Sequence, residues 1–335
     1  MKKIRRDASI SLALQESALR KNFQSACDIL NQVIDWLVID NFHSIILDVK
    51  NNEGKMLFNG EEIKKIHKKG IIKRLTDNNI EIIAGMRVHD CLDERVSGRR
   101  SVSFDGAVLP DRVCPISRKN MDYLIKVAKR ANEDFGSEHF HFSYYRYKSS
   151  QYCFCDSCLS KFAKDSKLSW EHKHEIFKEP ELFADWILWR ATQLINFAAQ
   201  FKEKIRNSIP KATISIETDL NPRKNYHLGT LIEEGHRLGD FIKAFDKVYY
   251  HIEPLQVFFD SSSESQKVYS DKLDILKYVI GKMRSSGLDD GYMFWELNSR
   301  SNLDKAIDLA NSLDVKDIVL YTREPRSILE MLKRI

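Results

Sequence analysis

Short apolar runs rich in β-branched and aromatic residues recur along the chain. Each is followed by a longer stretch in which apolar positions return every three or four residues. The short runs are ASISLAL (8–14), SIILDV (44–49), EIIAGMRV (81–88), HFHFSYYRY (139–147), ATISIET (212–218), KVYYHIE (247–253), GYMFWEL (291–297) and DIVLYT (317–322). The longer ones, at 20–41, 60–78, 117–135, 182–208, 228–244, 266–286, 302–313 and 325–334, read as amphipathic helices. Ser117 is placed to open one, Gly136 follows its end, and Pro210 stops the long central helix. Eight strand–helix units in series, with no Gly/Ser linker and no break in composition, predict an α/β fold: a single-domain (β/α)8 TIM barrel over residues 1–335. A doubly wound open sheet is the competing arrangement, and the absence of GxGxxG and GxxxxGK[ST] patterns weakens its nucleotide-binding version.

Two connections are longer than barrel geometry needs: about 89–116 after strand 3 and about 148–181 after strand 4. Both are strand-to-helix connections, so both emerge at the C-terminal face, where barrel active sites are built. Composition adds that 335 residues with 43% apolar and 30% charged side chains can bury a full core. The net charge of +5 is spread along the chain rather than clustered, which argues against a nucleic-acid surface. No run of about 18 apolar residues is present, so the expectation is a soluble, cytoplasmic protein without membrane partners. Self-association is left open.

Three of the six cysteines fall in the hexapeptide CFCDSC at 153–158. In a C-x-C-x2-C segment a tight turn can aim three thiolates at one tetrahedral ion, with the fourth ligand supplied from elsewhere. Cys91 and Cys114 both lie in the other long connection. A four-cysteine zinc site stapling the two loops is the expectation, structural because four thiolates leave no open position for water. An iron–sulfur cluster could use the same thiolates, although the C-x3-C-x2-C spacing of radical enzymes is absent.

DRVCPIS (111–117), then a helix and strand, then CFCDSCLSKF (153–162), resembles the zinc-binding pattern of family 42 β-galactosidases and related barrel glycoside hydrolases. The resemblance carries the zinc-ligand role onto Cys114, Cys153, Cys155 and Cys158 and leaves Cys91 as a spare. SIILDVKNNEGKMLF (44–58), the segment 68–88 and the segment 185–219 are similar in character to the wider group of barrel glycosidases. What this implies is a structural Zn2+ and a glycosidase-type hydrolase acting on a small glycoside or glycoconjugate.

Glycoside hydrolysis normally needs two carboxyl groups flanking the scissile bond. The resemblance puts the nucleophile at Glu296, which ends strand 7, with Trp295 and Asn298 beside it. The same clan carries an Asn-Glu pair at the end of strand 4, where this chain reads SYYRYKSS, without a glutamate. The proton donor has therefore moved or been lost. Glu217, Glu253 and Asp48 end strands 5, 6 and 2. Glu217 is the first choice for acid/base, because its phase is opposite to that of Ile214 and Ile216. Asp48, with Lys50 behind it, resembles the glycosidases' Asp-x-Lys and takes a substrate-hydroxyl role. Arg87, His89, Tyr145, Arg146, His251, Glu253, Asn298, Tyr321 and Arg323 complete a ring suited to a polyhydroxylated or anionic ligand. His139 and His141 precede their strand's C-terminal end and are discounted as metal ligands. His172 and His174 fall in a charged stretch, and Trp186, Trp189, Phe197 and Phe201 recur at helical spacing, as core does. Two rivals to the hydrolase stand: a carbohydrate-binding barrel that lost the strand-4 acid, and a barrel lyase or hydrolase whose arginines take an anionic substrate.

Overall fold

The computed structural model describes residues 9–14, 26–39, 42–51, 54–58, 60–93, 98–167, 174–219, 227–251, 274, 277–278, 280–281, 284–285, 292–296, 307–308, 310–315 and 317–322. Eight parallel strands close a barrel: β1 (Ser9–Leu14), β2 (Ser44–Lys50), β3 (Glu81–Arg87), β6 (His139–Ser143), β7 (Thr213–Asp219), β8 (Lys247–His251), β9 (Tyr292–Glu296) and β10 (Asp317–Thr322). The seam is the β1–β10 pairing, in register from Ser9 opposite Asp317 to Leu14 opposite Thr322. The sheet is closed, so the doubly wound alternative is excluded.

The strands read as almost continuous apolar runs because both of their faces are covered. Leu12, Leu47, Met86, Phe142, Ile216 and Leu320 point outward into the main core against the helices. Ala13, Ile46, Ile83, Tyr249, Val319 and Tyr321 fill the barrel axis as a separate cluster. Below that plug the interior is polar yet paired. Ser44 donates to Ser11 at 2.6 Å, and His139 and His141 both bond the Ser215 hydroxyl, at 2.9 and 3.1 Å. This pairing ties both histidines of the His-x-His motif to β7.

The helices that can be followed are α1 (Ala26–Ile39), α2 (Gly60–Lys68), α3 (Ile71–Asp77), α4 (Arg118–Phe135), α5 (Asp156–Ser166), α6 (Pro180–Arg206) and α7 (Leu238–Ala244). Ser117 caps α4, its side chain accepting the Asn120 N–H, and Gly136 closes it. Trp186, Trp189, Phe197 and Phe201 are buried along α6, as their spacing predicts. Two expected helices are divided. The 60–78 stretch breaks at Gly70, and the 228–244 stretch becomes a short π-helical turn (Thr230–Glu234), then Gly235, then α7. The expected helices at 266–286, 302–313 and 325–334 lie largely or wholly outside the described residues.

Within the 89–116 connection the chain builds an antiparallel hairpin, β4 (Arg100–Val102) with β5 (Val108–Val113), which the periodicity did not mark. No helix among the described residues is long and apolar enough to cross a membrane.

Phe142 is fully buried, with Tyr145, Phe201 and Phe245 ring centroids 4.9–6.0 Å away. Phe142→Ala is expected to lower the unfolding free energy by about 3–5 kcal/mol, read from urea melts beside wild type.

Candidate active site and cysteine cluster

The C-terminal mouth of the barrel is shaped by the chain leaving β6. The expected strand 139–147 stops at Ser143, and Tyr144 takes a left-handed backbone (φ 53°). The residues that follow alternate: Tyr144 and Arg146 stay partly exposed, while Tyr145 and Tyr147 are buried. The Tyr145 hydroxyl donates to the Leu194 carbonyl, and its ring packs on Phe142, Phe197, Phe241 and Phe245. The substrate role expected of Tyr145 is thus corrected: the ring at the mouth is Tyr144.

His89 needs the same correction. It is 1% exposed, packs against Tyr145 and Phe197, and bonds the Arg146 carbonyl at 3.2 Å. Burial pushes its pKa down to about 3, so it is neutral and supports the Arg146 backbone. His236, lowered to about 4 by burial, bonds the Tyr145 carbonyl at 2.7 Å from the other side.

At the mouth, charges meet in pairs. Arg146 bonds Asp219 closely and Glu234 at 3.1 Å. His251 bonds Asp219 at 3.0 Å and the Tyr321 hydroxyl at 3.1 Å. Arg112 pairs with Asp90 at 2.6 Å, and Arg87 lies between Asp90 (3.7 Å) and Asp48 (3.9 Å). The Arg87 guanidinium sits 4.5 Å above the Tyr144 ring, with Arg112 and Arg146 each 5.6 Å from it. Gly85 makes room for Asp48, since a Cβ there would come within 2.8 Å of its Oδ1. Lys50 turns inward after a register shift in β2 and ties down the Arg87 and Asp90 carbonyls; burial lowers its pKa to about 8.

Glu217 faces this mouth. Its Oε1 accepts the Tyr144 N–H at 3.1 Å and its Oε2 lies 3.9 Å from His141 Nε2. Burial works to raise its pKa, but the His141 hydrogen bond and the charges of His141, His251 and Arg146 outweigh burial and hold it below the usual value. Asp219 is held lower still, burial again being overcome, by His251 and Arg146. A general acid in this chemistry needs a raised pKa. Burial raises the pKa of Asp90, and Arg112 holds it.

The structure therefore brings together Asp48, Arg87, Arg146, Glu217, His251 and Tyr321. Glu296 ends β9 in register with Tyr321, and its side chain lies outside the described ones. Glu253, Asn298 and Arg323, with the Trp295 side chain, also lie outside them. Sequence reasoning missed Asp219, Asp90, Arg112, Tyr144 and Glu234. For Asp219 the signal was present, two residues beyond Glu217 on the same strand and so on the same face.

The four expected cysteines converge. Cys114 ends the hairpin, its N–H bonded to the Arg99 carbonyl and its carbonyl accepting Ser117 N–H, both at 2.9 Å. The CFC segment runs beside β4, with Phe154 N–H donating to Val102 at 2.7 Å. Cys155 is the residue before α5, and Cys158 lies in its first turn. All four sulfurs are buried and lie within 4.8 Å of one another. A tetrahedral ion with 2.3 Å bonds to sulfur sets the edge at about 3.8 Å, close to the 3.5 Å separating Cys114 from Cys155 and Cys158. Their mutual hydrogen bonds, ahead of burial, push Cys114 and Cys158 well up and bring Cys153 and Cys155 down. Four buried thiolates need a cation to coexist, and the residues fit a thiolate-bound metal. The Val102 N–H points at Cys153 Sγ from 3.4 Å, an outer support of the kind such sites use. Cys91 is buried apart, beside Gly54.

No family model and no curated protein matches the chain. Solved structures do. The glycoside hydrolase domain of PgaB (BpsB) from Bordetella bronchiseptica superposes with a TM-score of 0.75 at 10% identity, over 98% of this chain and 97% of that one. The catalytic domain of β-amylase from Paenibacillus polymyxa gives 0.62 at 10% identity, over 97% and 94%. Gan42B, a GH42 β-galactosidase, gives 0.66 at 11% identity over 95% of this chain, which spans about half (51%) of its length. The chain has the fold of glycoside hydrolase barrels.

Neutral buried His89 and His236 have pKa values below the 6.5 of an unfolded histidine, so the unfolded state binds more protons once pH falls below that value. Stability should be full above about pH 6.5 and decline steadily down to about pH 4. Urea midpoints across that range should show the slope, and His236→Asn should flatten it while lowering the neutral-pH midpoint.

Proposed function

We propose that this protein is a glycosidase-type barrel acting on a small glycoside or glycoconjugate at the strand-end mouth, with Glu296 as the nucleophile. The observation that carries the reading is the ring of paired, inward carboxylates and arginines, including Glu217, Asp219, Arg87 and Arg146, at the C-terminal mouth of a barrel whose whole length follows a glycoside hydrolase domain. In this reading the Glu296 carboxylate adds to the anomeric carbon as the bond to the leaving oxygen breaks, and water later releases the sugar. Asp48, Arg87, His251 and Tyr321 supply directed contacts to hydroxyls, and the same role is proposed for Glu253 and Asn298. Glu217 serves as the second carboxylate. The cysteine cluster holds a structural Zn2+, the ion suited to four thiolates in a closed tetrahedron, and it stays outside the chemistry.

One observation favours a second reading, a carbohydrate-binding barrel without turnover: Glu217 is held below the ordinary carboxylate pKa, unlike a resting proton donor. Leaving-group chemistry separates the two, because an aryloxide departs with little acid assistance. The expected outcome is turnover of activated aryl glycosides and far slower turnover of alkyl glycosides. Glu296→Gln should lose at least about a hundredfold in kcat, a cost of the size that mutation of a catalytic group brings. Saturable sugar binding without turnover of any aryl glycoside by folded wild type would establish the second reading.

Zinc is tested independently. Purified protein is expected to hold one zinc per chain by elemental analysis, and Cys158→Ser should lower both zinc content and melting temperature. Full stability of a metal-free preparation would overturn the zinc assignment.

A further inference from the structure

A cavity lies away from the barrel axis. It has a volume of about 590 Å³ and sits where the start of α4, the start of α5 and the middle of α6 meet, with Cys114 in its wall. Phe197 separates it from the mouth, since that ring also packs on Tyr145 and His89.

The lining is one-signed. Arg99, Arg118, Lys119 and Lys161 contribute cations, and no carboxylate is among the described residues that line the cavity. Lys161 is held by Asp165 at 3.3 Å, while Arg99, Arg118 and Lys119 have no ion pair among the described residues. These cations stand beside two helix N-termini, those of α4 and α5; Ser117 takes the Asn120 N–H of α4, and the remaining first-turn N–H groups lack intrahelical partners.

A third observation is independent of charge. Gln193, from α6, is 4% exposed, lines the cavity, and its amide has no hydrogen-bond partner among the described residues. Its amide offers a ligand both donors and an acceptor. The loop also approaches closely: a Cβ at Gly98 (φ 80°) would meet Ser117 Oγ at 3.0 Å and Lys119 Cβ at 3.1 Å, so the bare backbone keeps the cavity wall thin at the start of α4.

We propose that this cavity is a binding site for a small organic phosphate. The phosphate group sits at Arg118, Lys119 and the α4 N-terminus, and the organic part lies along Phe197 and Met121 with a hydroxyl on Gln193. The volume exceeds what a bare phosphate fills, and the apolar wall gives the remainder a surface to cover.

The test is calorimetric titration of the full zinc-loaded chain at constant ionic strength with glucose 6-phosphate, inorganic phosphate and glucose. Glucose 6-phosphate is expected to bind saturably with a Kd of about 1 mM or tighter, inorganic phosphate more weakly and competitively, and glucose not at this site. Arg118 and Lys119 are exposed, so the double variant Arg118→Gln/Lys119→Gln should fold and should weaken glucose 6-phosphate binding at least tenfold with its zinc content unchanged. Absence of saturable binding up to about 10 mM, or equal binding by the double variant, overturns the proposal. Equal affinity for both phosphates overturns the organic part of it. Loss of zinc from the double variant would show instead that these cations serve the cysteine cluster.

Discussion

Much of the mouth depends on how the Arg146 guanidinium is neutralised. It stands where the chain leaves β6, paired with Asp219 and Glu234, with Glu217 close enough to add to the field that holds it charged. Burying a guanidinium is costly unless its partners are good, and removing one partner leaves the other charges stranded. The ends of β6 and β7 and the π-helical turn at 230–234 are therefore bound into one unit. His251 extends it through Asp219 to Tyr321 on β10, across the barrel from β7 toward the seam. Opposite, Arg87, Arg112, Asp48 and Asp90 form a second paired set, and the Tyr144 ring lies against arginines of both.

The same loop connects the mouth to the cysteine cluster. Tyr144 and Arg146 stand at the mouth, and further on the chain lies beside β4 and delivers Cys153, Cys155 and Cys158. Between them Arg190, fully buried on α6, bonds the carbonyls of Ser149, Ile232 and Glu233 and stacks 4.2 Å over Tyr147. A long connection would ordinarily be the mobile part of a barrel. Here a cation pins its middle, and a metal at the four sulfurs would pin its far end, which is what a site assembled from loops requires if its geometry is to be held.

The fold was legible because parallel barrel strands are covered on both faces and announce themselves as apolar runs; all eight are where the pattern places them. The four cysteines were legible because ligand spacing is local and chemically specific. The mouth was only half legible. Alternation along a strand correctly turns Glu217 inward beside buried Ile214 and Ile216, but it fails at Tyr144, where the left-handed backbone ends the strand and shifts the phase of every residue after it. That is why Tyr145 read as a ligand contact and proved to be core. Asp90, Arg112 and Glu234 were illegible for another reason: they come from a loop, a hairpin and a π-helical turn whose placement no periodicity encodes.

The missing glutamate after strand 4 changes more than one residue's role. In the glycosidases that this chain resembles, that strand end supplies the proton; here it supplies Arg146, and a cation works on its neighbours in the opposite sense. The His141 hydrogen bond at Glu217, and His251 with Arg146 at Asp219, stabilise the ionised forms against the desolvation that would otherwise favour protonation, and Arg146 adds to the effect at Glu217. An arginine at this strand end works with the two histidines to keep the nearest carboxylates ionised. Glu217 and Asp219, kept ionised, place negative charge at the mouth, and Arg146 neutralises part of it. Held ionised in this way, these two carboxylates are poor proton donors at neutral pH.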